Sequence, residues 1–514
     1  MRKNNQIPEI PAEKFKLVGL DAKIHDQKFE TKQVSFFQDA LHRFCKNKSS
    51  VVAAIIILCL VLYAVFVPLF CSTNYSEALT DTNYLNYVKL APKNNFFAQF
   101  GIWDGSKEMT LGAANYDYFR AIGEETNTEI IKKVKDQITD EKGKIAYVCD
   151  VDTYIYNGFT TMTLTADEYQ ALQNWQNETG IQVIYPAVGD KSVSDANIWY
   201  EATKKGAPKL DGDGNFINIY KTSGEDGSYS SLRVEGDPGI EDPTSADRYR
   251  YATITGDSSS VSYKCRIFKY TYFQYRYGFE PAFAFGTNAL GQDILTRLAS
   301  GARFSLVFAV CIACINLFIG AIYGAIEGYY GGAIDMLMER ISDILSRVPF
   351  MVVATLFQLH LAKKVGVVPS LLFAFVLTGW IGMASTVRMQ FYRFKGQEYV
   401  LASRTLGAKD TRIMFKHIFP NALGTIVTSS VLVIPGVIFQ ESTLTYLGIV
   451  NLDSSTTTSV GTMLANGRQY LSSDPHIILF PALFISLLMI SFNLFGNGLR
   501  DAFNHALGGL TNER

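Results

Sequence analysis

Gln397-Glu-Tyr-Val-Leu-Ala-Ser-Arg-Thr-Leu-Gly-Ala-Lys-Asp-Thr-Arg-Ile-Met-Phe-Lys-His-Ile-Phe-Pro-Asn421 is polar and basic, yet it sits between two long apolar runs. Helical spacing puts Tyr399, Ala402 and Leu406 on one face and points Glu398, Ser403 and Arg404 elsewhere. Gly407 ends this short helix, because a residue without Cβ turns there at least cost. Asp410 is placed to cap a second helix, on which Ile413, Met414, His417 and Ile418 form a stripe. Pro420 is expected to break that helix where the next apolar run begins. The stretch reads as a helical elbow projecting from a membrane protein, shaped to be gripped in the groove of a soluble partner.

Outward from the elbow, apolar runs occupy Val51 to Phe70, Phe304 to Glu327, Val348 to Leu361, Val367 to Ala384, Ile426 to Ile449 and His476 to Leu494. Each suits a crossing of a hydrocarbon core about 30 Å thick, the third only when Ile341 to Arg347 is joined to it. That predicts a polytopic α-helical membrane protein of about six spans. Arg43, Lys46 and Lys48 border the first run and put the N-terminus inside, and the length of the preceding segment argues against a cleaved signal peptide. Threading the spans from there puts the elbow in the cytoplasm. Arg393, Lys395, Arg404, Lys409, Arg412 and Lys416 agree with that side, whereas Lys363 and Lys364 fall outside. The expected division is a cytoplasmic segment 1–49, a first span 50–71, an extracellular insertion 72–285, and a membrane core 286–514 carrying the cytoplasmic loop 389–421.

The insertion is long enough to bury its own core and reads as α+β. Thr126 to Ile138 is a helix candidate. Lys144 to Tyr156 and Phe159 to Leu164 alternate like two strands of a hairpin about Asn157-Gly158. Thr165-Ala-Asp-Glu168 is a capping box for a helix running to about Asn177, and Val261 to Tyr277 reads as a strand. Asp211-Gly-Asp-Gly-Asn215 is similar to the start of a calcium loop. Phe216 stands at the required Gly, however, and no acidic residue closes it, so a turn is expected. Lys264, Arg266, Lys269 and Arg276 interleave with aromatics, either as a polymer-binding face or as a half-buried strand with snorkelling cations. Cys149 and Cys265 are a possible disulfide in an oxidising medium, their proximity left open by the sequence.

An enzyme reading has little to stand on in this sequence. There is no Gly-x-x-x-x-Gly-Lys-Ser/Thr phosphate loop, no Gly-x-Ser-x-Gly and no His-Glu-x-x-His, and the six histidines are scattered. No metal-ligand spacing occurs, and Cys311 and Cys314 lie a turn apart within an apolar run as packing residues. The net charge of -1 gives no argument for nucleic acid. Glu441 stands out, because a charge in mid-span costs about 2.5–3.5 kcal/mol on insertion scales and should face a cavity or a partner. It either bonds to neighbouring hydroxyls such as Ser442 and Thr443 or lines a pathway or gate. Gln440, Pro435 and Asn493 are the other pathway candidates.

These motifs, in their order and spacing, resemble the C-type permease subunit of bacterial ABC importers for oligopeptides and dipeptides. Ala402, Gly407 and Pro420 match that superfamily's EAA loop, with Leu401 at its usual Glu and Ser403 at its second Ala. Glu398-Tyr-Val400, Arg404, Leu406-Gly-Ala408 and His417-Ile-Phe-Pro-Asn421 carry the peptide-type pattern. Gly286-Thr287, Gly301-Ala-Arg303, Gly328-Tyr-Tyr-Gly-Gly332, Tyr446-Leu-Gly448 and Gly498-Leu-Arg-Asp501 are similar to further family segments. The resemblance implies a type I ABC importer permease fold with an inserted α+β domain. It also implies a multi-pass location in the bacterial plasma membrane, with both termini cytoplasmic. It implies no cofactor on this chain, with ATP and Mg on partner ATPases. The implied partners are a second permease, two ATPases, an extracellular peptide-binding lipoprotein and a peptide. Glu398, Ala402, Ser403, Arg404, Gly407, Ala408 and Pro420 would be the ATPase-coupling residues. The alternatives are the same machine importing nickel or short glycosides, and a membrane-anchored sensing or adhesion ectodomain.

Overall fold

A computed structural model describes residues 36–70, 87–139, 143–186, 251–255, 261–453 and 458–503, with a few positions between 196 and 217. Most of the polar N-terminal segment and Asn215-Phe216 lie outside the described residues. Helix α1 (Phe36–Lys46) sets Phe44 edge-on to Phe495, 5.4 Å between centroids, and leads into α2 (Lys48–Phe70), the first apolar run.

The insertion follows as α3 (Asn95–Ala98), β1 (Ser106–Gly112), α4 (Ala113–Thr126), β2 (Ile131–Thr139), β3 (Ile145–Asp152), β4 (Phe159–Thr165), α5 (Ala166–Thr179), β5 (Ile184–Tyr185), β6 (Ala252–Thr255), β7 (Ser262–Phe268) and α6 (Lys269–Tyr277). One antiparallel sheet has the order β1-β3-β2. In the other, β7 is central, with β4 on one edge and β5 and β6 on the other. Both sheets and their helices share one core around Tyr154, Phe159, Phe268 and Phe273.

Several expectations need correction here. The segment Thr126 to Ile138 is not a helix: α4 ends at Thr126, Asn127 turns left-handed (φ 51), and β2 begins at Ile131. Residues 145–165 are not a hairpin. Strand β3 has both edges occupied by β1 and β2, so the turn through Gly158 (φ 56) hands the chain to the second sheet. The Tyr-rich run is a strand only to Phe268 and then the helix α6. Cys149 and Cys265 are buried thiols, not a disulfide, because they lie on the central strands of different sheets, opposite Met109 and Met162. The capping box is present, with Glu168 N–H donating to Thr165 and Thr165 N–H to Glu168. Asp211 forms a turn, its Oδ1 accepting from Asp213 N–H at 2.9 Å.

Arg266 neither snorkels nor offers a polymer-binding face. Its side chain is 3% exposed and makes two bonds to Glu125 (2.5 and 2.8 Å), and its guanidinium stacks 3.7 Å from the Phe159 ring. Glu125 is on α4 and Arg266 on β7, so the pair ties the halves of the insertion together. The insertion's ends lie side by side: Lys93 N–H donates to Phe283 O (2.8 Å), Thr287 N–H to Leu90 O (3.1 Å) and Lys89 N–H to Asn288 O (3.0 Å). A domain whose ends meet can interrupt a host chain without displacing its neighbours.

The membrane part continues with α7 (Ile294–Tyr330), α8 (Gly332–Ser346), α9 (Phe350–His360), α10 (Ala362–Val365), α11 (Val367–Phe394), α12 (Glu398–Thr405), α13 (Asp410–Tyr446), α14 (Val460–Gly467) and α15 (His476–Phe503). Among the described residues, five helices, α2, α7, α11, α13 and α15, are long and apolar enough to span. The expected third span is instead the pair α8 and α9, bent by 71°. Pro349 sits at the break, where it removes a backbone donor and pushes its predecessor out of helical geometry.

Removing the charge from one half of the Glu125–Arg266 pair strands the other in the core, which costs about 3–5 kcal/mol. Glu125→Gln should therefore lower the thermal unfolding midpoint of the insertion, followed by circular dichroism of the solubilised chain. An unchanged midpoint would show that the pair does not hold the two halves together.

Candidate coupling surface and the bundle beneath it

The elbow stands at the opposite end of the bundle from the insertion. Helix α7 begins against the insertion, where Thr287 Oγ1 donates to Tyr87 O and accepts from Leu90 N–H (2.5 and 2.9 Å). Its last turn reaches the elbow. There, Tyr329 donates to Asp410 Oδ1 at 2.6 Å and accepts from Arg404 at 3.4 Å, with the Arg404 guanidinium 5.6 Å from the Tyr329 ring. Asp410 therefore serves as a tether to α7 rather than as a helix cap, the cap position being Lys409.

The apolar stripe of the second arm supplies most of the elbow's inward face. Val400, Ile413, Met414 and Ile418 are buried against Val387 and Phe391 of α11, whereas Tyr399, Ala402 and Leu406 face outward. Leu406 is 87% exposed at the tip, and Leu401 and Phe415 of the elbow are exposed as well. Gly407 has φ +76 with open space around it, the left-handed turn that reverses the chain. Pro420 does not break the second arm. Residues Ile413–Ile418 form a π turn in which Phe419 N–H bonds to Met414 O, and α13 runs unbroken from Asp410 to Tyr446. The wider turn absorbs the missing proline donor near the first positions of the α-helical stretch. The second arm and the following span are one rod.

Of the other expected coupling residues, Glu398 and Pro420 are exposed, Ser403 donates to Tyr399 O (2.8 Å), and Ala408 packs beside the buried face. Asn421 Nδ2 donates to Tyr399 Oη at 3.1 Å, tying the two arms together. Partial burial raises the Tyr399 phenol, and that bond opposes the shift. Lys395 donates to Gly328 O (2.9 Å). Burial pushes its ammonium down, Asp335 opposing and Arg404 adding to the shift.

The sequence reading missed Arg388. Its guanidinium bonds to Asp335 (2.6 and 3.0 Å) and Glu339 (2.9 Å) and lies 3.5 Å from Glu327, joining α7, α8 and α11. Those three carboxylates are close enough to share a cation, and Arg388 already supplies a positive charge there. A clue was present in the i, i+4 pair Asp335 and Glu339, on the helix that begins two residues after α7 ends.

Glu441 is wholly buried, its carboxylate accepting from Ser305 (3.1 Å) and Thr445 (3.0 Å), with Ser459 at the N-cap of α14 alongside. It joins α7, α13 and α14, the hydroxyls supplying the bonds a carboxylate needs away from water. Pro435 is buried in α13, while Gln440 and Asn493 are exposed on the outer surface of the bundle. Two of the four pathway candidates, Glu441 and Pro435, are therefore inside the bundle and two, Gln440 and Asn493, on its surface. The two exposed polar side chains face whatever adjoins the bundle.

An elbow packed on its inner face and apolar at its tip is carried on a bundle of helices long and apolar enough to span a membrane, the architecture of a membrane permease component. Residues 316–509 match the family described as the binding-protein-dependent transport system inner membrane component, and residues 35–92 match the N-terminal TM domain of oligopeptide transport permease C. The oligopeptide transport system permease protein OppC of Bacillus subtilis (strain 168) is 44% identical over 223 residues, covering 43% of this chain and 72% of that protein. The dipeptide transport system permease protein DppC of the same organism is 42% identical over 224 residues, covering 43% and 68%. Among solved structures, a chain of the methionine ABC transporter MetNI in an inward-facing conformation is similar at 16% identity and TM-score 0.34, covering 41% of this chain and 97% of that chain. The chain belongs to the family of binding-protein-dependent transport system inner membrane components.

Arg388→Gln would leave three carboxylates facing one another without their cation. The expected outcome is a thermal midpoint several degrees below wild type for the detergent-solubilised chain. Adding Asp335→Asn and Glu339→Gln should recover part of the loss. Failure of that combination to recover any stability would mean that Arg388 acts by packing alone.

Proposed function

We infer that the chain is a permease subunit of an ATP-driven peptide importer, forming half of a translocation pathway and hydrolysing nothing itself. Its relatives are named for oligopeptide and dipeptide transport, and the family for dependence on a binding protein. The observation that carries the mechanism is the continuity of the elbow's second arm with α13, together with the outward apolar tip at Leu406. On this reading the tip seats in a groove of a cytoplasmic ATPase that binds ATP and Mg. Closure of two such ATPases moves the rod, and the bundle switches between outward and inward access as a rigid-body change about an interface.

The pathway runs between this bundle and a second, homologous permease. That placement suits the exposure of Gln440 and Asn493 on the bundle surface, with Glu441 behind them as an internal brace. Both termini and the loop 389–421 are cytoplasmic in this reading. The insertion of residues 72–285 stands outside the cell, where a peptide-binding lipoprotein delivers its cargo. Glu398, Ala402, Ser403, Arg404, Gly407, Ala408 and Pro420 make up or support the ATPase contact.

Gly407→Trp places a bulky residue at a left-handed position on the tip, which has open space on its own side. In the complete transporter reconstituted into proteoliposomes, it should abolish ATP-dependent uptake of a labelled peptide while leaving the chain inserted in the bilayer. Uptake at the wild-type rate would remove the elbow from the coupling role.

A further inference from the structure

The stretch Asn94-Asn-Phe-Phe-Ala-Gln-Phe-Gly-Ile-Trp103 in the insertion has no charged residue. It folds into a closed loop, with Asn94 N–H bonded to Trp103 O at 2.8 Å, and presents its apolar side chains outward. Phe96 is 66% exposed, Phe100 68% and Ile102 58%, with Phe97 and Trp103 also open. The rings lean on one another, Phe96 on Phe100 (5.9 Å) and Phe97 on Trp103 (5.4 Å), making a single patch. An apolar cluster left open on a polar domain marks a contact with something apolar.

Its position says what that is. Trp103 lies edge-on to Phe480 of α15, 5.9 Å between centroids, and Phe285 stacks on the same ring at 4.0 Å. Phe480 is inside the spanning helix, four residues before Phe484, which neighbours Tyr63 of α2 at 6.2 Å. Four residues are about 6 Å of rise, so Phe480 is roughly level with the last turns of α2, which remain apolar and exposed to Leu69 and Phe70. The loop is thus joined to the membrane bundle at the depth where the spans are still apolar. Aromatic rings with one polar end suit that zone between headgroups and acyl chains.

We propose that residues 94–103 are a membrane foot of the insertion, with Phe96, Phe97, Phe100 and Ile102 seated in the lipid leaflet on that side and Trp103 at its boundary. The foot sets the standing height of the inserted domain and resists its tilting, independently of what the transporter carries.

The test uses the full chain in lipid nanodiscs, taking the emission of Trp103 as the difference between wild type and Trp103→Phe. Phosphatidylcholine carrying a nitroxide high on its acyl chain should quench this component at least about twofold, and aqueous iodide should leave it nearly unchanged. Quenching by iodide without quenching by the spin-labelled lipid would overturn the proposal, placing the loop in water. Resistance to both quenchers would also overturn it, placing the loop under protein. If Trp103→Phe does not fold, Phe100→Trp at an open position adds a reporter to the wild-type chain, and its added emission must follow the same pattern. None of these readouts depends on transport, so a failed foot and a failed importer assignment are told apart.

Discussion

Close approach of α7 to α11 holds the membrane half together, and glycine makes it possible. Gly320, Gly324 and Gly328 recur every fourth residue on α7, facing Met383, Ala384, Arg388 and Phe391. A Cβ on Gly320 would lie 2.7 Å from Met383 Cβ, and one on Gly328 would lie 2.7 Å from Phe391 Cβ. Lipid tails are as apolar as leucine, so helices in a bilayer gain by dispersion and hydrogen bonding, which demand short distances. The same device recurs at the other end of the bundle, where Gly301 abuts Ser459 and Gly461 abuts Ser442. Those contacts enclose the hydroxyl cage of Glu441.

Helix α7 has 37 residues, about 55 Å of rise and longer than a hydrocarbon core. Its surplus length serves both ends. Outside the apolar band, Asp293 caps it, accepting from Thr296 N–H at 3.0 Å beside the paired ends of the insertion. At the far end, Tyr329 holds Arg404 and Asp410. Insertion and elbow are therefore fixed to one stiff element. On the proposed reading, force applied at the elbow enters the bundle along two continuous helices, α7 and α13, rather than through flexible loops.

The insertion has its own sheets and core, yet it is not loosely tethered. Lys107 pairs with buried Asp474 at 2.5 Å, Lys89 stands 4.3 Å over the Tyr470 ring, and Trp103 meets Phe480. Each contact joins a residue of the insertion to α15 or the segment just before it. A polar clamp and an aromatic one on the same short stretch restrain rotation as well as distance.

Length and periodicity of apolar runs determined the spanning helices, because backbone groups in hydrocarbon can bond only within a helix. Local chemistry likewise marked Gly407 as a turn and Thr165 with Glu168 as a helix start, since both depend on a few adjacent residues. Tertiary structure decided everything that depends on what lies opposite. Lys144 to Tyr156 alternates like one arm of a hairpin, but β3 is central and spends both edges on other partners. Pro420 reads as a breaker until the π turn before it removes the need for its missing N–H. Arg266 and Glu125 are 141 positions apart, and Arg388 meets two acids 49 and 53 positions away. Sequence records side-chain charge but not distance, and a buried charge becomes a structural device only when folding brings its counter-charge within reach.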